Sequence, residues 1–287
     1  VATPADLDLG CHLTLTKGAP AAMDMARDLG ATNLQVFTRN PRGGARRDLP
    51  DEEVEEGKVR RRERGIRTLI GHIPYTVNLA SPRDSAYEFA RMVIHADLRW
   101  AARLGVDVLV VHPGSHVDSG VDAGIKRIVI AIRQALEGYE GGTALLLEGM
   151  SGQGSEIGGT PEELACVIDG LGGDPRVGVC LDSCHLFAAG WDMTTPEGVD
   201  AAIKAHSSAV GVERIRCLHL NDSFSEMGSH RDRHARIGQG KLGEAGIRAV
   251  VTNPVLSRIP LCLETPVDDY PEYADEIMAV RRIIAAG

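Results

Sequence analysis

The sequence predicts a single (β/α)8 TIM barrel with its active site at the C-terminal face of the strands, and three observations lead to it. Short runs of Val, Leu and Ile recur along the 287 residues and alternate with segments of helical periodicity. Those runs are nearly continuous rather than alternating, as expected of parallel strands covered on their outer side by helices. Eight strand–helix pairs fit this length with no linker or low-complexity segment between them, so residues 1–287 are expected to form one domain.

The first strand spans 7–13 and leads to a helix over 21–27. The second, 33–37, opens into a glycine-bearing loop with Arg39, Arg42, Arg46 and Arg47, after which a charged helix runs over 51–64. The third pair is a strand over 68–72 and a long helix over 84–104, and the fourth a strand over 108–112 and a helix over 122–136. The fifth strand, 144–148, precedes a helix over 160–168 whose start, Thr160-Pro161-Glu162-Glu163, carries cap residues. A strand over 177–182 comes next, then a helix opened by Thr195-Pro196-Glu197. The last two strands, 215–220 and 260–264, are followed by helices over 242–251 and 273–286. The longest irregular stretches, 38–50, 149–159 and 221–241, each follow a strand, and in a barrel such loops share one face.

Hydrophobic residues at 43% and charged residues at 25% are ordinary for a soluble globular protein. No run approaches a membrane span and the first residues lack a basic-then-apolar leader, so a cytoplasmic chain with no membrane partner is expected. A net charge of −9 argues against wholesale wrapping of nucleic acid but leaves room for a local basic patch. Cys180, Cys217 and Cys262 fall inside apolar strands, Cys11 at a strand end and Cys166 in a helix, the pattern of reduced buried thiols rather than of a disulfide framework.

Most of the strands finish on an ionisable group: His72, His112, Glu148, Asp182, His219 and Glu264. His185 follows Asp182 by three residues, and Asp232 and His234 lie in the loop after the seventh strand. A parallel barrel points all these strand ends at one mouth, so nine nitrogen and oxygen donors converge there. Ionisable groups gathered at a partly buried rim are costly without partners. A borderline ion such as Zn²⁺ takes about four ligands, so nine residues with one bridging carboxylate suffice for three ions with open positions left. Five imidazoles argue against an all-oxygen Mg²⁺ or Ca²⁺ site. Grouped ions suit in-line displacement at phosphorus. His12 is either a further ligand or a hydrogen-bonding group at its strand end. His95 and His206 fall within helices as surface or packing residues. Cys184 is expected as a packed thiol on the other face of its strand, with ligation as the alternative. Arg39, Arg42, Arg46 and Arg47 make a positive surface suited to phosphates, or else a solvated charged loop, and the glycines between 149 and 159 allow a polyanion close approach.

Several segments form a series along the chain: His72-Ile73-Pro74-Tyr75, His112-Pro113-Gly114-Ser115-His116, Glu148 with Gly152-Gln153-Gly154-Ser155, and Asp182-Ser183-Cys184-His185 with its preceding strand. His219-Leu220-Asn221-Asp222, Asp232-Arg233-His234 and Leu263-Glu264-Thr265-Pro266 complete the series, which covers almost the entire chain. Taken in this order, the segments resemble the endonuclease IV family of apurinic/apyrimidinic endonucleases. The resemblance implies a three-zinc site, with Mn²⁺ an option at one or more positions. His72, His112 and Glu148 would hold one ion; Glu148 would bridge to a second held by Asp182, His219 and Glu264; His185, Asp232 and His234 would hold the third. It also implies hydrolysis of the phosphodiester 5′ to an abasic site in duplex DNA, leaving a 3′-hydroxyl and a 5′-deoxyribose phosphate, with trimming of blocked 3′ ends. In such a site Glu148 and Glu264 are the catalytic carboxylates, Glu264 orienting the attacking hydroxide, and the third ion takes the charge of the leaving oxygen. Arg42, Tyr75 and Gln153 match residues that insert into the duplex at the gap, and Arg233 a phosphate contact. The chain departs from well-known members at Gly43-Gly44, where some carry an aromatic residue, and at Gly149-Met150 in place of an Asn-Thr pair. A monomer acting on abasic duplex DNA is therefore expected. Two other readings compete: a sugar isomerase or epimerase of the same barrel superfamily, which uses Glu148, Asp182, His219 and Glu264 but not His185, Asp232 and His234, and a metal-stabilised DNA-binding protein without turnover.

Overall fold

The computed structural model describes residues 7–41 and 46–286. Its strands and helices follow the expected alternation: β1 (Leu9–Leu13), α1 (Ala19–Asp28), β2 (Asn33–Phe37), α2 (Asp51–Arg64), β3 (Thr68–His72), α3 (Asp84–Leu104), β4 (Val108–Val111), α4 (Val121–Leu136), β5 (Ala144–Glu148), α5 (Pro161–Gly170) and β6 (Val177–Asp182). Then come α6 (Ser183–Ala188), α7 (Pro196–Val210), β7 (Ile215–His219), β8 (Asp222–Ser223), β9 (His234–Ala235), α8 (Gly243–Thr252), β10 (Leu261–Leu263) and α9 (Tyr273–Ala285). Eight strands close into a barrel in the order β1-β10-β7-β6-β5-β4-β3-β2, every pairing parallel.

Two features depart from the sequence expectation. A six-residue helix, α6, starts directly at the end of β6, so Cys184 lies in a helix and not on the opposite face of a strand; its thiol is buried there. Within the stretch 221–241, β8 and β9 pair as a two-stranded antiparallel ribbon. Asp222 holds that excursion closed by accepting from the backbone N–H groups of Gly240 at 3.0 Å and Leu242 at 2.9 Å.

Side chains of a strand alternate between faces, and the barrel uses this to build two apolar layers. Leu69, Leu109, Leu145, Leu147, Val179, Leu181, Leu218 and Leu263 face outward and pack with the helices. Ile70, Val110, Leu146, Cys180, Cys217 and Cys262 face inward and form a separate buried plug. The second residue beyond each plug residue is His72, His112, Glu148, Asp182, His219 and Glu264, respectively. The ionisable mouth is therefore the next layer of the same inward face. A bulge at Val179/Cys180 brings Asp182 into register with His219. On β1, Gly10 is required by close approach: a Cβ there would lie 1.9 Å from the Asn33 carbonyl oxygen.

Helix starts bear out the cap residues with one difference. The Thr160 hydroxyl accepts from Glu163 N at 3.3 Å and Thr195 from Gly198 N at 3.2 Å. Glu163 does not close the reciprocal box but accepts from Gly158 N at 2.7 Å and Gly159 N at 3.1 Å, tying the glycine-rich loop to α5.

Candidate metal centre

Glu148 is the hub of the mouth. Its Oε2 lies 3.1 Å from Nε2 of both His72 and His112, and its Oε1 lies 3.2 Å from Nδ1 of His219. The same His219 nitrogen is 3.2 Å from Glu264 Oε2 and 3.9 Å from Asp182 Oδ2. A further group forms around Asp232, whose two oxygens are 3.3 Å from His185 Nε2 and 3.2 Å from His234 Nε2. Asp182 Oδ2 lies 3.6 Å from His234 Nε2 and so borders both assemblies. All nine residues singled out by their positions in the sequence thus come together.

Elements on either side fix these side chains. Asp182 caps α6, its Oδ1 accepting from His185 N at 2.9 Å, while Oδ2 accepts from the Asn221 side chain at 2.7 Å. Asn221 Oδ1 in turn accepts from Glu264 N at 2.9 Å, so one buried amide aligns two carboxylates. The ring nitrogens of four histidines that face away from the mouth are engaged as well. His72 Nδ1 donates to Ile73 O at 2.7 Å, His185 Nδ1 to Gly149 O at 3.0 Å, and His234 Nδ1 to Glu264 O at 3.2 Å. His219 Nε2 donates to the Gln35 side-chain oxygen at 2.9 Å. A histidine tied on one nitrogen presents the other as a directed ligand.

Electrostatics agree with a site built for cations. Burial alone would raise the Glu148 carboxyl, yet His112 and His219 hold it well below its ordinary range. Burial likewise opposes ionisation of Asp232, and His185 and His234 overcome it. Burial would lower His234, but Asp182 and then Asp232 raise it to about 9. His112, His185 and His219 are likewise raised above the ordinary imidazole range, burial being outweighed by the carboxylates beside them. Nε2 of His185 and Nε2 of His234 are nevertheless buried without a hydrogen bond. Such atoms are normally satisfied, and here they point at carboxylate oxygens across a gap that a cation would fill. Their donor chemistry, imidazole and carboxylate in near-equal number, suits borderline divalent ions, and several groups of these donors lie close enough to share one ion.

The mouth opens into a cavity of about 700 Å³ lined by His12, Phe37, Tyr75, Tyr270 and most of the nine donors. Tyr75 is 59% exposed on its rim. Gln153 and Arg233 are exposed; the Gln153 side-chain oxygen accepts from Asp232 N at 3.4 Å, and Arg233 Nη1 donates to Asp232 O at 2.6 Å. The contact expected of Arg42 lies outside the described residues. His206 is buried in α7 and His95 exposed on α3, as their positions suggested. Within the arginine loop, Arg39 Nε donates to buried Asp97 at 2.9 Å, Arg46 lies 3.5 Å from the same carboxylate, and Arg47 Nη2 donates to Glu53 at 2.8 Å. Arg39, Arg46 and Arg47 are thus paired with the protein's own carboxylates. Gln35 was not singled out in the sequence, although a polar residue alternating with apolar Leu34 and Val36 along a buried strand is its signal.

Fold and mouth together define a (β/α)8 barrel with a metal-capable centre at the strand ends, and the comparisons with known proteins agree. A family described as xylose isomerase-like TIM barrel matches residues 23–283. The chain is 46% identical over 276 residues to "Probable endonuclease 4" of Moorella thermoacetica, covering 96% of this chain and 98% of that one. Endonuclease IV from Thermus thermophilus superposes with a TM-score of 0.84 at 35% identity, covering 97% and 99% of the two chains. A D-tagatose 3-epimerase-like protein shares the fold alone, with a TM-score of 0.68 at 16% identity over 96% and 98% of the chains. The chain belongs to the endonuclease IV family.

Proposed function

We propose that this chain is an abasic-site endonuclease that hydrolyses the phosphodiester 5′ to an abasic nucleotide in duplex DNA, leaving a 3′-hydroxyl and a 5′-deoxyribose phosphate, and that it also trims blocked 3′ ends. The observation that carries the reading is the His185–Asp232–His234 group beside the Glu148 hub. A sugar epimerase has use for the hub alone. Three zinc ions, or zinc with manganese, would be held by His72, His112 and Glu148, by Glu148, Asp182, His219 and Glu264, and by His185, Asp232 and His234. When bound, such ions supply Lewis acidity and make water a nucleophile near neutral pH.

The residues have separable tasks in this scheme. Glu148 spans two positions because its two oxygens face different histidines. Glu264 accepts a hydrogen bond from the attacking water and aims it. The Asp232 group lies toward the leaving 3′ oxygen, where developing negative charge needs stabilisation. Tyr75 and Gln153, exposed at the rim, and Arg42 enter the duplex where the missing base leaves no stacking partner, and Arg233 meets a phosphate. Extruding an abasic nucleotide costs less than extruding an intact one, which provides selectivity. The protein acts as a cytoplasmic monomer made of one domain. The test is incision of a labelled duplex carrying one tetrahydrofuran abasic analogue, with an intact duplex as control. Cutting 5′ to the analogue, with the control spared, is expected; an uncut analogue duplex together with epimerisation of a ketose would contradict it.

A further inference from the structure

We infer that Gln35 is a positioning residue that fixes the ring tautomer of His219 and the orientation of Glu264, so that the metal position they share is preorganised; the inference rests on the metal-centre reading above. Gln35 is fully buried on the inward face of β2, which is separated from β7 around the barrel by β1 and β10. Its amide nitrogen lies 2.6 Å from Glu264 Oε1 and 3.0 Å from His12 Nδ1, and its oxygen 2.9 Å from His219 Nε2.

Chemistry settles which way this amide faces. An ionised carboxylate only accepts hydrogen bonds, so the group 2.6 Å from Glu264 Oε1 must be the NH2. The amide oxygen then faces His219, and Nε2 of that ring must carry the proton. Nδ1 is left as the atom directed at Glu148 and Glu264, both 3.2 Å away. The second N–H of the amide goes to His12 Nδ1. Every polar atom of Gln35 is thus satisfied by groups of the mouth.

The other three tied histidines differ in kind. His72, His185 and His234 donate to backbone carbonyls, which no substitution removes. His219 depends on a side chain, and the same side chain restrains Glu264. Gln35 touches no reacting atom in this arrangement and acts through its two neighbours. Loss of such an outer partner typically weakens metal affinity by about 10–100-fold.

Two measurements test this. In the zinc-loaded wild-type chain with ¹⁵N-labelled histidine, the His219 ring, assigned by its loss in His219→Ala, should show a protonated Nε2 and a metal-bound Nδ1; zinc on Nε2 would overturn the inference without any variant at Gln35. In Gln35→Met, chelator competition for zinc should reveal one site weakened by about 10–100-fold, with the remaining sites near wild type. Wild-type affinity at every site would overturn it. Both readouts are independent of DNA cleavage. A wild-type chain that binds zinc in this Gln35-dependent way yet spares abasic DNA removes the proposed reaction and leaves the inference standing.

Discussion

Asp232 is the most exposed of the nine donors, its side chain 40% accessible, yet it contacts two histidines whose inward nitrogens are buried without a hydrogen bond. Asp232→Ala should therefore remove about one bound metal ion per chain and slow abasic-site cleavage by about 100-fold or more, the scale of losing a transition-state charge stabiliser. Elemental analysis beside single-turnover kinetics checks this, and unchanged cleavage would exclude a role at the leaving oxygen. His234 gives a pH prediction for the metal-free chain. Its pKa is raised from 6.5 to about 9, so its stabilising contribution is fully present below 6.5 and is lost as pH rises through about 9. The unfolding temperature of chelated protein should fall between those limits, and less so in His234→Gln. An equal fall in the variant would assign the dependence elsewhere. Seven of the nine residues that meet at the mouth were legible because each closes a strand or follows one closely, while Asp232 and His234 come from the long loop after the seventh strand. The sequence did not disclose which nitrogen of each ring faces the mouth, since that depends on carbonyls and on Gln35, brought near only by the closed barrel.

At the level of elements, the strands were legible because a barrel strand is buried on both faces and is written as an unbroken apolar run. The helices were legible from periodicity and from Thr-Pro starts. α6 escaped notice because its six residues are too few to show a period, although Asp182 placed three residues before His185 is its cap. The β8/β9 ribbon escaped for the same reason, with two residues in each strand. Loop geometry is held by specific contacts, of which Asn78 is an example. Its side chain accepts from Ser115 N at 2.9 Å and Ala80 N at 3.0 Å and donates to Ser115 O at 2.9 Å, clamping the loop after β3 to the loop after β4. Gly114 makes this clamp possible: its φ is +111°, and a Cβ would lie 2.3 Å from Asn78 Oδ1. Gly114→Ala should destabilise the fold by about 2 kcal/mol or more, through backbone strain and overpacking together. Denaturant unfolding measures this, and a variant as stable as wild type would mean that the clamp carries little.

The whole molecule combines a net charge of −9 with a proposed polyanionic substrate. Arg39, Arg46 and Arg47 are each paired with a carboxylate of the protein. Cations held at the proposed positions would reverse the sign of a site otherwise built around four carboxylates. The barrel contributes rigidity: the donors stand directly above a packed plug of Ile70, Val110, Leu146 and three cysteines. Metal-dependent scission at the abasic nucleotide is tested most directly by metal analysis of the purified chain coupled to incision of a duplex with one abasic analogue, before and after prolonged chelation and after zinc is returned. About three zinc, or zinc and manganese, ions per chain are predicted, with cutting 5′ to the lesion abolished by the chelator and restored by zinc. Undiminished cutting by a chain stripped of metal, or a fully loaded chain that leaves the lesion intact, would contradict it.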